Sequence, residues 1–366
     1  MGRGSREETR RAPLKTVIHV AEAEIAEESG MGRVAWHWRD AFQKAGYEFL
    51  HVGPARVGGP VHPAYFPAKA FRAARQLGVK DALFLVHEPA AAPFVKAHPR
   101  TVVFSHGLER RAWEASLRIP ECGKHIRFRS KILFPFWRLR GADYGLKRAR
   151  AALLINRDDR EYAFQHYGRA PGNTFLFRNG VYPTPPAPPR DGAEILFASQ
   201  WIPRKGTETL VEAARLLRGV PLRWTLAATG RGEAEVLRGL PEELRPIVKI
   251  IPRFRREEEG ALFRAATLFV MPSFFEGQPL SLLQAMEAGL CCITTDCCGQ
   301  KDVIQHGENG FLFPPGDARE MARLIKLCLE DGALRERVGA RARESMRERS
   351  WEAVSREVRE WVEEKA

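Results

Sequence analysis

The chain has 366 residues, more than one hydrophobic core comfortably serves, so two domains are expected. A composition of 44% hydrophobic and 28% charged residues is that of a soluble globular protein, and no apolar run approaches the roughly 20 residues that cross a bilayer. The net charge is +13. Residues 1–14 are basic but lack the apolar stretch of a secretory signal, and read as a disordered arm.

In chain order, strands are predicted at 16–20, 48–52, 82–86, 101–105, 152–155 and 174–177. A second series follows at 194–198, 224–228, 248–251, 268–271 and 291–294. Helical patterns over 34–45, 159–166, 207–217, 280–288 and 318–329 alternate with them. Several strands are apolar throughout, as in parallel sheets covered on both faces, and the βαβα order implies a doubly wound α/β architecture. Pro183, Pro185, Pro186, Pro188 and Pro189 fall within residues 183–190. Such a stretch joins neither a helix nor a central strand and acts as a semi-rigid spacer. It separates residues 15–182 from residues 191–348 and divides the chain into two Rossmann-like halves. A central cleft is expected between the carboxyl ends of their sheets, where ligands bind in such folds. The last segment, 351–364, is amphipathic and has no strand after it.

In the first half, Ser29-Gly30-Met31-Gly32 lies between the first strand and helix 34–45. It lacks the full G-x-G-x-x-G pattern, but its backbone can approach a phosphate or an acceptor. His106-Gly107 ends strand 101–105 on the cleft side, and either a functional or a structural His fits there. His87 ends the neighbouring strand. Between Arg110 and Arg150, twelve Lys and Arg face three acidic residues. Trp113, Phe128, Phe134, Phe136 and Trp137 are interleaved among them. This mixture suits an anionic membrane surface or a phosphate-bearing acceptor, and equally an ordinary solvated Arg-rich face. No nucleic-acid motif accompanies the charge, so no nucleic acid is expected as a partner.

In the second half, Lys205-Gly206 follows strand 194–198 and opens a helix, a position from which Lys can neutralise a diphosphate, with Arg204 beside it. Thr229-Gly230-Arg231-Gly232 follows a strand, and Arg253 and Phe254 follow another, where they can face a nucleobase or form a plain loop. The richest signal is Ser273–Gly289, SFFEGQPLSLLQAMEAG. Glu276 sits in a turn with Gly277, Gln278 and Pro279, and a helix follows. Pro at the helix start leaves the amides near Gly277, Leu280 and Ser281 free to bind an anion. Gln284 lies behind them and can both donate to and accept from a ribose diol. A carboxylate beside an anion site fits a sugar nucleotide. Four of the six cysteines form the doublets Cys291-Cys292 and Cys297-Cys298. The first lies in a buried strand pattern, where Cys packs as a small hydrophobe rather than a zinc ligand. Free thiols imply a reducing cytoplasm.

Taken together, these segments resemble a GT-B glycosyltransferase of the large retaining family 4, most closely from Glu194 to Asp317. ILFASQWIPRKG resembles the family's strand and basic turn, Glu276 to Gln284 its E-x7-E motif, and GLCCITTDCCGQKDVIQHGENGFLFPPGD the strand and Gly turn that follow. RNGV, Arg178 to Val181, resembles the usual NGV. The resemblance implies that Lys205 binds the donor diphosphate, Glu276 the sugar hydroxyls and position 284 the ribose. His106 would lie by the transferred sugar, Arg253-Phe254 would face the base, and the final helix (349–366) would cross back to the first domain. Two departures stand out: Gln284 replaces the second glutamate, and Gln200 replaces a diphosphate-binding arginine.

The function expected is retaining transfer from a nucleotide-diphosphate sugar to a glycan, lipid-linked or small-molecule acceptor, in the cytoplasm or at the inner face of the membrane. Neither a metal nor a further cofactor is expected, since no D-x-D motif is present. The alternatives are a sugar-nucleotide epimerase or a catalytically weak sugar-nucleotide-binding protein.

Overall fold

The structure is a computed structural model and describes residues 15–124, 126–185 and 192–365. The expected arm at 1–14 and most of the Pro-rich spacer lie outside the described residues. Twelve strands form two sheets of six, parallel throughout. The first contains β1 (Thr16–Val20), β2 (Glu48–Val52), β3 (Ala82–His87), β4 (Thr101–Phe104), β5 (Ala151–Leu154) and β6 (Thr174–Leu176), in the order β2-β1-β3-β4-β5-β6. The second contains β7 (Glu194–Ala198), β8 (Arg223–Ala227), β9 (Val248–Ile251), β10 (Leu268–Met271), β11 (Cys291–Thr295) and β12 (Phe311–Phe313), in the order β12-β11-β10-β7-β8-β9. Each order reverses direction once, at β1/β3 and at β7/β10. Such switch points leave a crevice beyond the strand ends.

Side-chain alternation explains why the central strands contain no polar face. Ile195 and Phe197 of β7 enter one core, and Leu196 and Ala198 enter the core on the other side. Cys291 and Cys292 divide in the same way, with Cys291 Sγ 3.7 Å from Cys328 Sγ. They are packing residues. Among the described residues, no group of three or more His, Cys, Asp or Glu is placed to hold a metal.

Three differences from the sequence reading have local causes. The first helix starts at Gly30 rather than 34 (Gly30–Lys44), because Ser29 Oγ accepts from the Gly32 amide at 3.1 Å and caps it. Strand β12 spans three residues, too short to show a period of its own. The basic segment is helical, with Glu109–Arg118 followed by Phe128–Phe134 and a π-helical turn at Pro135–Leu139.

The last helix, Trp351–Lys365, packs on the first. Trp351, Val354, Val358 and Val362 share a core with Val17, Trp38 and Phe42. Just before it, Arg349 O accepts from the Val181 amide at 2.7 Å, which ties the chain's end to the connection between the sheets.

Candidate active site

A cleft of about 1100 Å³ opens between the two sheets. On the second-half side, β7 runs into the turn Pro203–Lys205 and then Gly206, whose φ of 71° suits glycine. A Cβ at Gly206 would lie 1.9 Å from Pro272 O, so only glycine fits this turn against the one that carries Glu276. The two turns bring Lys205 Nζ within 2.5 Å of Glu276 Oε1, both side chains being nearly buried. Burial pushes the Glu276 carboxyl up, but Lys205 and Arg204 outweigh it and hold it below the usual carboxylate range. Burial lowers the Lys205 ammonium, opposed by Glu276. The contact has the geometry of an ammonium–carboxylate pair, in which each partner favours the charged form of the other.

Gly277, Gln278, Pro279, Leu280 and Ser281 line the cleft beside this pair. Pro279 offers no side chain to cap helix Leu280–Glu287, so its first-turn amides are left for a ligand. At Gly277 the two halves of the chain are packed tightly together. A Cβ there would lie 2.0 Å from His106 O, and Asn156 Nδ2 donates to Gly277 O at 3.3 Å. Gln200, Arg204, Gly230, Arg253 and Phe254 also line this wall. Arg204 Nη1 donates to Phe275 O at 2.8 Å. Ala228, at the end of β8, has φ of 54° and lines the cleft. A left-handed Ala stores backbone strain of the kind that collects at functional sites.

Two residues expected at the site lie elsewhere. Gln284 does not line the cleft; its amide is bound to the connection between the sheets. Nε2 donates to Tyr182 O at 2.9 Å and to Thr184 Oγ1 at 2.8 Å, while Oε1 accepts from the Tyr182 amide at 3.2 Å. Gly32 is buried inside the first helix turn, where a Cβ would lie 2.5 Å from Glu24 O, so it serves packing. Ser29 and Gly30 do line the cleft.

The first-half wall contains the two histidines singled out in the sequence and, beside them, groups that the sequence reading did not assign. His106 and His87 both line it, with ring centroids 5.7 Å apart. Burial pulls His106 down to about 4, and burial together with His106 and Arg138 lowers His87, so both rings are neutral at pH 7. His87 Nδ1 is buried without a hydrogen-bond partner. Arg138, counted among the basic surface residues, is buried between two carboxylates. Its Nη1 and Nη2 donate to Glu22 at 2.6 and 2.7 Å, and its Nη2 and Nε to Glu109 at 2.9 and 3.2 Å. Arg110 pairs with Asp143, and Arg111 with Asp158 and Asp159. The segment therefore presents less free charge than its composition implied. Across the cleft, Arg33 Nη1 bonds Glu259 at 3.0 Å with both side chains buried. No local pattern marked Arg33, Glu22 or Arg138, because each partner lies far away in sequence.

Residues 183–345 match the family described as Glycosyl transferases group 1. Among curated proteins, the chain is 31% identical over 188 residues to a D-inositol 3-phosphate glycosyltransferase of Nocardioides sp., covering 46% of this chain and 41% of that protein. It is 30% identical over 175 residues to a phosphatidyl-myo-inositol mannosyltransferase of Mycobacterium leprae, covering 46% of each. The chain thus spans less than half the length of these relatives. Among solved structures, sucrose-phosphate synthase from Thermosynechococcus elongatus superposes with a TM-score of 0.80 at 19% identity, covering 96% of this chain and 98% of that one. Anabaena Alr3699/HepE in complex with UDP-glucose gives 0.66 at 17% identity, covering 95% and 99%. Residues 183–345 thus match the model of the glycosyl transferases group 1, and the two facing sheets have the GT-B fold.

Proposed function

We propose that the chain transfers a sugar from a nucleotide-diphosphate sugar to an acceptor hydroxyl, with retention at the anomeric carbon. The observation that carries this reading is the Lys205–Glu276 pair at an uncapped helix tip inside the cleft. The complex of Anabaena Alr3699/HepE with UDP-glucose supplies the donor analogy.

In this reading, Lys205, Arg204 and the amides at Leu280 and Ser281 receive the diphosphate, and Arg253 and Phe254 face the base. Glu276 accepts hydrogen bonds from the donor-sugar hydroxyls, with the neutral His106 on the sugar's other side. The anomeric carbon–oxygen bond to the β-phosphate breaks as the acceptor oxygen bonds to the same face of that carbon. The acceptor proton passes to the departing phosphate oxygen. Fixed positive groups aimed at charge that develops on the leaving group are the largest electrostatic contribution available to such a site. Because the chain supplies these cations itself, turnover is expected to persist in EDTA.

The acceptor enters from the first-half wall. Phe128, Ile132, Leu133, Phe136 and Trp137 are exposed beside exposed Arg127, Arg129, Lys131 and Arg140. This patch runs directly into the cleft at Phe134 and Arg138, and supports docking on an anionic membrane with a lipid-linked acceptor. No helix among the described residues is long and apolar enough to cross a membrane.

A thermal-shift screen against UDP-, GDP- and ADP-sugars tests the donor reading. One of them is expected to raise the melting temperature, since ligand binding to the folded state stabilises it. No shift with any of the three would refute the assignment. NMR of the bound donor without acceptor separates transfer, which leaves it intact, from epimerisation, which converts it.

A further inference from the structure

The charge in the cleft is divided between its walls. On the donor wall, Arg204, Lys205 and Arg253 face one carboxylate, Glu276, which is paired with Lys205. On the opposite wall, Glu22, Glu28 and Glu109 face a single guanidinium, Arg138. Arg33 and Glu259 neutralise each other. Arg138 is not available to an incoming anion, because four of its hydrogen bonds already go to Glu22 and Glu109. The two carboxylates retain lone pairs on the cleft side, with side-chain exposures of 18% and 23%. A carboxylate accepts hydrogen bonds and donates none, so this wall offers acceptors to hydroxyl donors.

Two further observations point to a ligand there. His87 is 7% exposed, lines the cleft, and carries a buried Nδ1 with no partner. Its imidazole is neutral, so it adds no positive charge. Trp113 and Phe134, stacked with centroids 4.3 Å apart, line the same wall and give it an apolar flank. An apolar flank with a few convergent polar groups is the usual make-up of a small-molecule site.

We propose that the acceptor group entering this wall is a neutral sugar or polyol, with no phosphate at the end that reaches the cleft, held by Glu22, Glu109 and His87. The proposal rests on the transferase reading and names its acceptor class. A phosphate here meets net negative charge in a partly desolvated wall, with no free cation among the described residues that line it. It is rejected by about tenfold or more, as for like charges at an interface. The acceptor thus differs in class from the inositol phosphate named for the Nocardioides relative.

The test uses the full chain, loaded with whichever of UDP, GDP or ADP raises its melting temperature so that the diphosphate site is filled. Calorimetry and saturation-transfer NMR then compare neutral hexoses and myo-inositol with their monophosphates. At least one neutral compound is expected to bind, its monophosphate about tenfold more weakly. Glu109→Gln, which keeps the side-chain shape, is expected to weaken the neutral ligand severalfold and leave nucleotide affinity unchanged, with its melting temperature reporting the fold. A monophosphate that binds as well as its parent overturns the proposal, and so does failure of every neutral compound to bind. If no nucleotide binds, the donor reading fails separately. The same comparison on the unloaded chain, where the preference for neutral compounds must still hold, then decides the acceptor class.

Discussion

Replacing Lys205 with methionine keeps the volume and removes the ammonium from Glu276. The carboxylate that remains is 7% exposed. Stranding a buried charge this way costs about 3–5 kcal/mol, and the lower end applies because Arg204 still acts on Glu276. The same substitution removes a charge-assisted hydrogen bond to the donor diphosphate, worth about 1.5–3 kcal/mol, or roughly 10- to 150-fold in nucleotide affinity. Glu276→Gln in the same chain removes the stranded charge. The double variant is therefore expected to recover about 1–3 kcal/mol of stability relative to Lys205→Met alone, a coupling typical of contacting groups, while nucleotide affinity stays low. Chemical denaturation of the wild type, both single variants and the double variant measures the coupling, and calorimetry with UDP or its counterpart measures affinity. If the double variant is no more stable than Lys205→Met, the pair is not a closed electrostatic unit. If Lys205→Met binds nucleotide normally, Lys205 does not face the diphosphate. Either result refutes the reasoning.

Gly277→Ala drives a methyl to within 2.0 Å of His106 O; it is expected to lower turnover at least tenfold while each half keeps its secondary structure, and wild-type kinetics would show that the halves need not approach so closely. Gln284→Glu sets a carboxylate against the Tyr182 carbonyl, where Nε2 now donates, and is expected to cost about 1–3 kcal/mol, read as a fall in denaturation midpoint with donor affinity little changed. His19 and His87 are buried and held neutral, chiefly by burial. Their folded pKa values lie below the unfolded value, so the stability is present above pH 6.5 and is lost as pH falls from there, at up to about 1.4 kcal/mol per pH unit for each. Glu88, raised by burial and Glu109, opposes one of them; the melting temperature should still fall between pH 7 and pH 5, and a flat profile would contradict the burial of these rings. Phe128→Ser with Phe136→Ser is expected to reduce sedimentation with phosphatidylglycerol vesicles by severalfold without changing nucleotide affinity.

The sheets are legible because a strand buried on both faces writes itself as an apolar run, as several of the eleven predicted strands do. Strand β12 is not, since FLF, Phe311–Phe313, is too short to distinguish from loop hydrophobes. The start of the first helix was obscured by Gly30 and Gly32, poor helix formers whose position is fixed by the Ser29 cap. Lys205 and Glu276 are 71 residues apart and meet because each follows the carboxyl end of a strand in the same sheet. The acceptor wall had no such signature. Arg138 bonds partners 116 and 29 residues away, and in the sequence it is one more arginine in an arginine-rich stretch. Nothing local separates a buried guanidinium from a solvated one.

The two glutamines that depart from the family pattern have different physical meanings. Gln284 needs both ends of its amide: Nε2 donates to Tyr182 O and Thr184 Oγ1, while Oε1 accepts from the Tyr182 amide. A glutamate supplies only acceptors, so this connection between the sheets requires the amide. That residue ties helix Leu280–Glu287 to the connection between the sheets. Gln200 does line the donor wall, and there a cation is missing. Arg204, Lys205 and Arg253 remain on that wall against Glu276, which Lys205 already pairs, and the Arg33–Glu259 pair cancels itself, so its sign is preserved without a further arginine. The opposite wall has the reverse sign. In the proposed reading, a donor carrying a diphosphate is drawn to one side and an acceptor without charge is tolerated on the other. On that proposal, the polarity of the cleft orients both substrates before any residue touches the reacting carbon.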